Sequence, residues 1–193
     1  MKTTSIMLVG VGGQGTLLAS KVLGNMLLES GQDVKVSEIH GMAQRGGSVV
    51  TYIRFGEKVH SPISGEGNAD YIIGFESLEA YRWLPYLKKD GTMIANSQKI
   101  SPMPVIAGAA KYPENISKEL SEKVHTYHEV NAIDMALECG NSRAVNVVLL
   151  GVLAQTMNFD KEIWVNAIKN TVPEKVLDVN LKAFEMGYNC AAS

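Results

Sequence analysis

The apolar run Ile6-Met7-Leu8-Val9 leads into Gly10-Val11-Gly12-Gly13-Gln14-Gly15, and a pattern of helical period begins directly afterwards. A strand that is apolar at every position suits a parallel sheet covered on both faces. Thr16 to Leu28 carries Leu17, Leu18, Val22, Leu23, Met26 and Leu27 at helical spacing, and Gly31 supplies a stop. Asp33 to Ile39 then reads as a second strand, at the distance a right-handed βαβ crossover needs. Strand, glycine turn, helix and strand in that order restrict the chain to a layered α/β fold.

The rest of the chain extends this plan. Ser48 to Phe55 is rich in β-branched and aromatic residues and predicts a strand. Gly56-Glu57 predicts a hairpin turn with Lys58 to Ser61 as the return strand, an antiparallel insertion that makes the sheet mixed. Further strands are expected at Asp70–Phe75, Thr92–Asn96 and Val124–Val130. A helix is expected over Glu76 to Leu87, ended by Lys88-Lys89-Asp90-Gly91. Ile100 to Gly108 is proline-rich and irregular, with a short strand at Val105-Ile106, and a helix follows Pro113 within Tyr112 to Lys123.

From about residue 131 the pattern turns helical. The expected helices are Ala132 to Cys139 stopped by Gly140, Arg143 to Met157 capped by Ser142, one from an Asp160 cap to about Asn170, and one from Pro173 to near Gly187. No linker separates this half, so residues 1–193 read as a single domain. The expected architecture is α/β: a Rossmann-like three-layer sandwich with a mixed, mostly parallel sheet and a helical C-terminal part packed on it.

Charge and cysteine content narrow the function. Eighteen basic against 20 acidic residues leave a net charge of -2, and the basic residues form no stripe, which argues against nucleic acid and anionic membranes as partners. The longest apolar run, Ala144 to Ala154, interrupted by Asn146, is too short to span a bilayer. The first residues carry no secretory pattern, so a cytoplasmic location is expected. Cys139 and Cys190 alone cannot supply the four thiolates of an iron–sulfur cluster. The four histidines lack metal-ligand spacing, so no metal site is expected. No nucleophile–base pair is evident either.

Two stretches remain as site candidates. Gly10, Gly12, Gly13, Gln14 and Gly15 fit G-x-G-x-x-G, and Glu38 lies 23 residues after Gly15, where a dinucleotide site places its ribose-binding acid. The plainer reading is a tight strand-to-helix turn in which side chains would clash. The loop His40, Gly41, Met42, Ala43, Gln44, Arg45, Gly46, Gly47 follows. Arg45 beside two glycines suits an anion, His40 suits a proton carrier, and Met42 suits a partner surface better than a solvated turn. Four side chains have structural readings: Glu76 as a first-turn acid complementing its helix dipole, Asn146 as a buried amide with a backbone partner, and Trp83 and Trp164 as core or interface anchors.

The glycine turn together with Ser37-Glu38-Ile39-His40-Gly41-Met42-Ala43-Gln44-Arg45-Gly46-Gly47-Ser48-Val49 resembles the gamma domain of 2-oxoacid:ferredoxin oxidoreductases. Arg54-Phe55-Gly56 and Gly140-Asn141-Ser142-Arg143-Ala144-Val145-Asn146 agree, and the resemblance covers nearly the whole chain. The His40-Gly41-Met42 form and Phe75-Glu76 followed by Glu79-Ala80 resemble the indolepyruvate branch most. Pyruvate, 2-oxoglutarate and 2-oxoisovalerate branches are alternatives, and a stand-alone NAD(P)- or FAD-binding reductase is an alternative of another class.

The resemblance implies a subunit inactive by itself. It implies a large alpha partner holding thiamine diphosphate/Mg and [4Fe-4S] clusters, coenzyme A as co-substrate, and ferredoxin as acceptor through the complex. Gly10, Gly12, Gly13, Gln14, Gly15, Glu38, His40, Gly41, Met42, Gln44, Arg45, Gly46 and Gly47 are then cofactor-binding or partner-facing, and a bound dinucleotide is no longer the favoured reading.

Overall fold

The computed structural model describes residues 3–41 and 47–191. Six strands form one sheet in the order β2-β3-β1-β4-β5-β6. They are β1 (Thr4–Val11), β2 (Asp33–His40), β3 (Ser48–Gly56), β4 (Ala69–Gly74), β5 (Leu87–Asn96) and β6 (Thr126–Val130). β1, β4, β5 and β6 pair in parallel, whereas β3 is antiparallel to both β1 and β2. The helices are α1 (Thr16–Glu29), α2 (Ser77–Arg82), α3 (Met103–Ile106), α4 (Ile116–Lys123), α5 (Ala132–Glu138), α6 (Val145–Thr156), α7 (Lys161–Thr171) and α8 (Leu177–Cys190).

The period-2 alternation of the strands makes two cores. Ile6, Leu8, Ile53, Ile73 and Ile94 meet α1, α6, α7 and α8 on one face. Met7, Val9, Ile72 and Met93 meet Ala80 of α2 and Leu120 of α4 on the other. Ile6 to Val9 are at most 1% exposed, and each such burial contributes about 1.5–3 kcal/mol. α6 is buried on every side from Val145 to Ala154 because neighbours enclose it. It meets α8 so closely that a Cβ at Gly151 would lie 2.2 Å from the Phe184 carbonyl oxygen, and one at Gly187 2.0 Å from that of Val148.

The architecture matches the expectation, with five local corrections. The return strand expected at Lys58 to Ser61 does not form, because β3 already pairs along one edge with β1 and along the other with β2. The helix expected to Leu87 ends at Arg82, and a single 3-10 turn around Pro85 precedes β5. Proline lacks an N–H and disfavours helix in the residue before it. Lys88 to Gly91 therefore belong to β5, in a stretch where the register with β4 shifts, and Lys88 pairs with Asp70 at 2.5 Å.

The other three corrections concern helix ends. Val105-Ile106 is helical, since Pro102 and Pro104 suit a helix start. Asn141, not Ser142, is the cap at the start of the α6 region: its Oδ1 accepts from the Arg143 N–H at 3.0 Å. The last helix runs past Gly187 to Cys190, so that glycine is a packing position and not a stop. Gly31 and Gly140 are genuine stops, at φ 76° and 97°, and Asp160 caps α7 through the Glu162 N–H.

Candidate functional site

Three physical demands account for the glycine turn. Gly13 (φ 101°) and Gly15 (φ 80°) are left-handed, and Gly15 is the N-cap of α1. At Gly10 a Cβ would lie 2.8 Å from Gln14 Oε1 and 2.9 Å from the Phe75 Cβ, so the strand end and the turn need that glycine. Gln14 ties the turn down. Its Oε1 accepts from the Val11 N–H at 2.9 Å, and its Nε2 donates to the Phe75 carbonyl at 2.9 Å and to Gln98 Oε1 at 3.2 Å.

The structure brings the early and late sequence motifs together at this turn. Gly13, Gln14 and Gly15 face Ser142, Arg143 and Asn146 across a cleft of about 370 Å³. Asn146, 2% exposed, donates to the Gly15 carbonyl at 3.2 Å and accepts from the Val147 N–H at 2.9 Å. The cleft lies off the carboxyl ends of β1 and β5, with Gln98 from the segment after β5 and Ile133 of α5 in its lining. Open α/β sheets bind ligands at such a crevice.

The other flank of the turn receives the end of β2. His40 and Val49 lie beside Gly12, Gly13, Thr16 and Leu17 around a second cleft of about 330 Å³. Glu38 accepts from Thr51 Oγ1 at 2.9 Å and pairs with His40 Nε2 at 2.6 Å. β3 intervenes between β2 and β1, setting Glu38 about 10 Å from β1, two strand spacings away. The dinucleotide reading needs β2 next to β1, so the acid at the matching sequence distance is in the wrong place.

Both flanks of the 41–47 loop are fastened. The Gly41 N–H donates to the Ser48 carbonyl and the Gly12 N–H to the Gly47 carbonyl, each at 2.9 Å. Of the loop candidates, His40, Gly41 and Gly47 are thus brought to the glycine turn. Met42, Gln44, Arg45 and Gly46 lie outside the described residues.

Several supporting side chains escaped the sequence reading. Glu79, 4% exposed, accepts from Ser48 Oγ at 2.5 Å and pairs with Arg82 at 3.3 Å, anchoring the residue that follows the loop. Glu76, expected only to complement a helix dipole, is the N-cap of α2 and 1% exposed. It accepts from the Glu79 N–H at 2.8 Å, the Ile100 N–H at 3.0 Å and the Tyr112 hydroxyl at 2.5 Å. Burial, and then the Glu76 carboxylate, push the ionisation of Tyr112 well above the usual phenol range. Gln98 joins the first cleft from a segment with no periodicity to announce it, and Arg143 from the late Gly140–Asn146 stretch. The N-cap role of Glu76 had a local signal, an acid three residues before Glu79; its contacts with Ile100 and Tyr112 had none.

Among the described residues no three His, Cys, Asp or Glu side chains come together as a metal site. Cys139 and Cys190 are unpaired, with Cys139 Sγ 3.1 Å from Met186 Sδ. These residues do not fit an iron–sulfur cluster. Backbone N–H groups at the α1 N-terminus, amides and a guanidinium suit an anion or a partner's polar surface.

Known proteins share this sequence and this fold. Residues 5–190 match the family model described as pyruvate ferredoxin/flavodoxin oxidoreductase. Indolepyruvate oxidoreductase subunits IorB of Pyrococcus horikoshii and Thermococcus kodakarensis are each 43% identical over 99% of this chain and 97% of theirs. A pyruvate synthase subunit PorC of Methanothermobacter marburgensis is 26% identical over 93% of this chain and 92% of its own. The gamma subunit of a keto/oxoacid ferredoxin oxidoreductase from Geobacter sulfurreducens shares the fold, with TM-score 0.73, 22% identity and 98% of both chains covered. In 2-oxoglutarate:ferredoxin oxidoreductase from Magnetococcus marinus the same fold (TM-score 0.76, 18% identity) covers this whole chain but 31% of that one. With the family model spanning nearly its full length, this chain belongs to the pyruvate ferredoxin/flavodoxin oxidoreductase family.

Proposed function

We propose that this chain is the small subunit of an indolepyruvate, or related arylpyruvate, ferredoxin oxidoreductase that converts its 2-oxoacid oxidatively to an acyl-CoA. The observation that carries the reading is the contrast in likeness: 43% identity to indolepyruvate oxidoreductase subunits against 26% to a pyruvate synthase subunit, over similar spans. The same likeness to PorC supports a gamma subunit acting on pyruvate or another 2-oxoacid as the second reading.

In this proposal residues 1–193 form one gamma-type domain, supported by the core that the late helices share with one face of the sheet. The cofactors belong to a large alpha partner, where thiamine diphosphate with Mg²⁺ would supply the decarboxylation and [4Fe-4S] clusters the path of electrons to ferredoxin. This chain's part is positional. Gln14 and Asn146 hold the glycine turn, and Gly12 holds Gly47. Arg45 and the Gly46-Gly47 backbone then face the partner's active site or the phosphates of coenzyme A. No helix among the described residues is long and apolar enough to cross a membrane. Two unpaired cysteines support a reducing, cytoplasmic setting.

The test is co-expression of this chain with a large indolepyruvate oxidoreductase subunit from the same organism, followed by assay of coenzyme A-dependent ferredoxin reduction. Indolepyruvate should be used in preference to pyruvate, and omission of this chain should abolish turnover. Equal turnover without it removes the proposal. Saturable binding of NADH or FAD to the isolated chain would support the reductase alternative.

A further inference from the structure

Residues 102–110, Pro-Met-Pro-Val-Ile-Ala-Gly-Ala-Ala, contain no polar side chain, yet seven of the nine are exposed. Met103 (69%) and Ile106 (66%) are the most exposed large apolar side chains among the described residues. A stretch of this composition ordinarily enters a core, and exposed apolar patches on soluble proteins mark contact surfaces.

The segment is also built to hold its shape. Its backbone bonds to itself: the Ala107 N–H donates to the Met103 carbonyl, and those of Ala109 and Ala110 to Pro104. Both ends are fastened to the start of α2, where Glu76 Oε1 accepts from the Ile100 N–H and from the Tyr112 hydroxyl. The Ser77 N–H donates to the Gln98 carbonyl, so the segment springs from a wall of the first cleft. Leu17 (53%) and Ile39 (50%) are exposed at the same carboxyl edge of the sheet. The apolar segment therefore adjoins the candidate site at its base, through Gln98.

We infer that residues 102–110 form a preformed apolar knob that docks into the larger subunit of the complex, beside the glycine-turn cleft. The inference rests on the proposed subunit role. A large protein partner is the occupant that suits both features, because a surface closing over the cleft also meets the knob at its wall. Prior ordering lowers the entropy lost on association.

The experiment measures the affinity of the full-length chain for the large subunit, using wild type, the double variant Met103→Asp/Ile106→Asp, and the control Leu28→Asp. Leu28 is 59% exposed on the last turn of α1, at the far edge. Circular dichroism checks that each variant is folded. The double variant should bind roughly tenfold more weakly or worse, as for loss of an interface hot spot, while Leu28→Asp binds as wild type. Wild type binding with an unaffected double variant overturns the knob and leaves the subunit role standing. Failure of wild type to bind overturns both. A chain that self-associates through the knob, with the double variant monomeric and still bound normally by the large subunit, gives the knob to a second copy and overturns the inference.

Discussion

The side-chain amide of Asn146 donates to the carbonyl of Gly15, which also accepts from the Leu18 and Ala19 N–H groups of α1. A residue in the helical half of the chain thereby fixes the start of the first helix. A Cβ at Gly15 would lie 2.7 Å from Asn146 Nδ2, so the two positions constrain each other.

Asn146→Ala should lower stability by about 1–3 kcal/mol, because the Val147 N–H loses its buried acceptor and Gly15 a donor. Gly15→Ala should cost more, combining that clash with about 1–2 kcal/mol for a left-handed residue at φ 80°. Denaturant melts of the two single variants and the double should show less than additive loss, since Asn146→Ala removes the atom that clashes. Strict additivity would mean that the contact is not formed.

The buried amide was legible in the sequence because Asn146 interrupts an otherwise apolar helix, and such groups find partners. Its partner was not, because nothing local specifies a contact between residues 131 apart. The same division holds elsewhere. Ile6 to Val9 announce a strand buried on both faces, but the insertion of β3 between β1 and β2 follows from long-range pairing. That insertion decides against the dinucleotide reading, since it moves Glu38 away while leaving its sequence distance intact. Glu76 announced a helix start, whereas its hold on Ile100 and Tyr112 depends on two segments meeting in space.

The α6–α8 contact makes a second prediction. A Cβ added at Gly151 would meet the backbone carbonyl of Phe184, and one added at Gly187 that of Val148, and backbone cannot rotate aside as a side chain can. Gly151→Ala and Gly187→Ala should each cost at least about 1–3 kcal/mol. That is a fall in melting temperature of roughly 2–4 °C per kcal/mol for a chain of this size. The exposed Gly108→Ala should act only through its φ of 74°, with no packing cost. Helical glycines tolerated as well as ordinary surface positions would contradict the close crossing.

Alkaline pH should loosen the structure around Tyr112 and Tyr127. Burial pushes both phenols up, Tyr127 to about 12 and Tyr112 beyond it. The unfolded chain releases these protons near pH 10, while the folded chain keeps them. Above that pH the unfolded state binds fewer protons, so stability is full below about pH 10 and falls as pH rises further. Tyr112→Phe should flatten part of this fall in pH-dependent melts. At neutral pH the same variant should be less stable than wild type, because Glu76 loses a donor. An unchanged alkaline slope would remove Tyr112 from the account.

Thiol labelling separates the two cysteines. Cys139 is half-buried against Met186, and burial followed by the Glu138 charge pushes its thiol up. Cys190 is exposed. The thiolate is the reactive species, so iodoacetamide near pH 8 should modify Cys190 first and Cys139 much more slowly. Equal rates would mean that the surface around Cys139 is open.

The loop gives the most direct test of the positional role. Its ends are fixed by Gly12 to Gly47, Gly41 to Ser48, and Ser48 to the buried Glu79. Arg45 lies between these anchors in sequence, and the proposal turns it toward the partner's site. Arg45→Ala should therefore lower ferredoxin reduction by the assembled complex while the melting temperature of this subunit stays at the wild-type value. Ser48→Ala should act differently, by leaving a buried carboxylate short of one donor. It should cost about 1–3 kcal/mol of stability and reduce turnover through the loosened loop base. If Arg45→Ala leaves turnover unchanged, the loop is a structural turn, and its glycines serve only the fold.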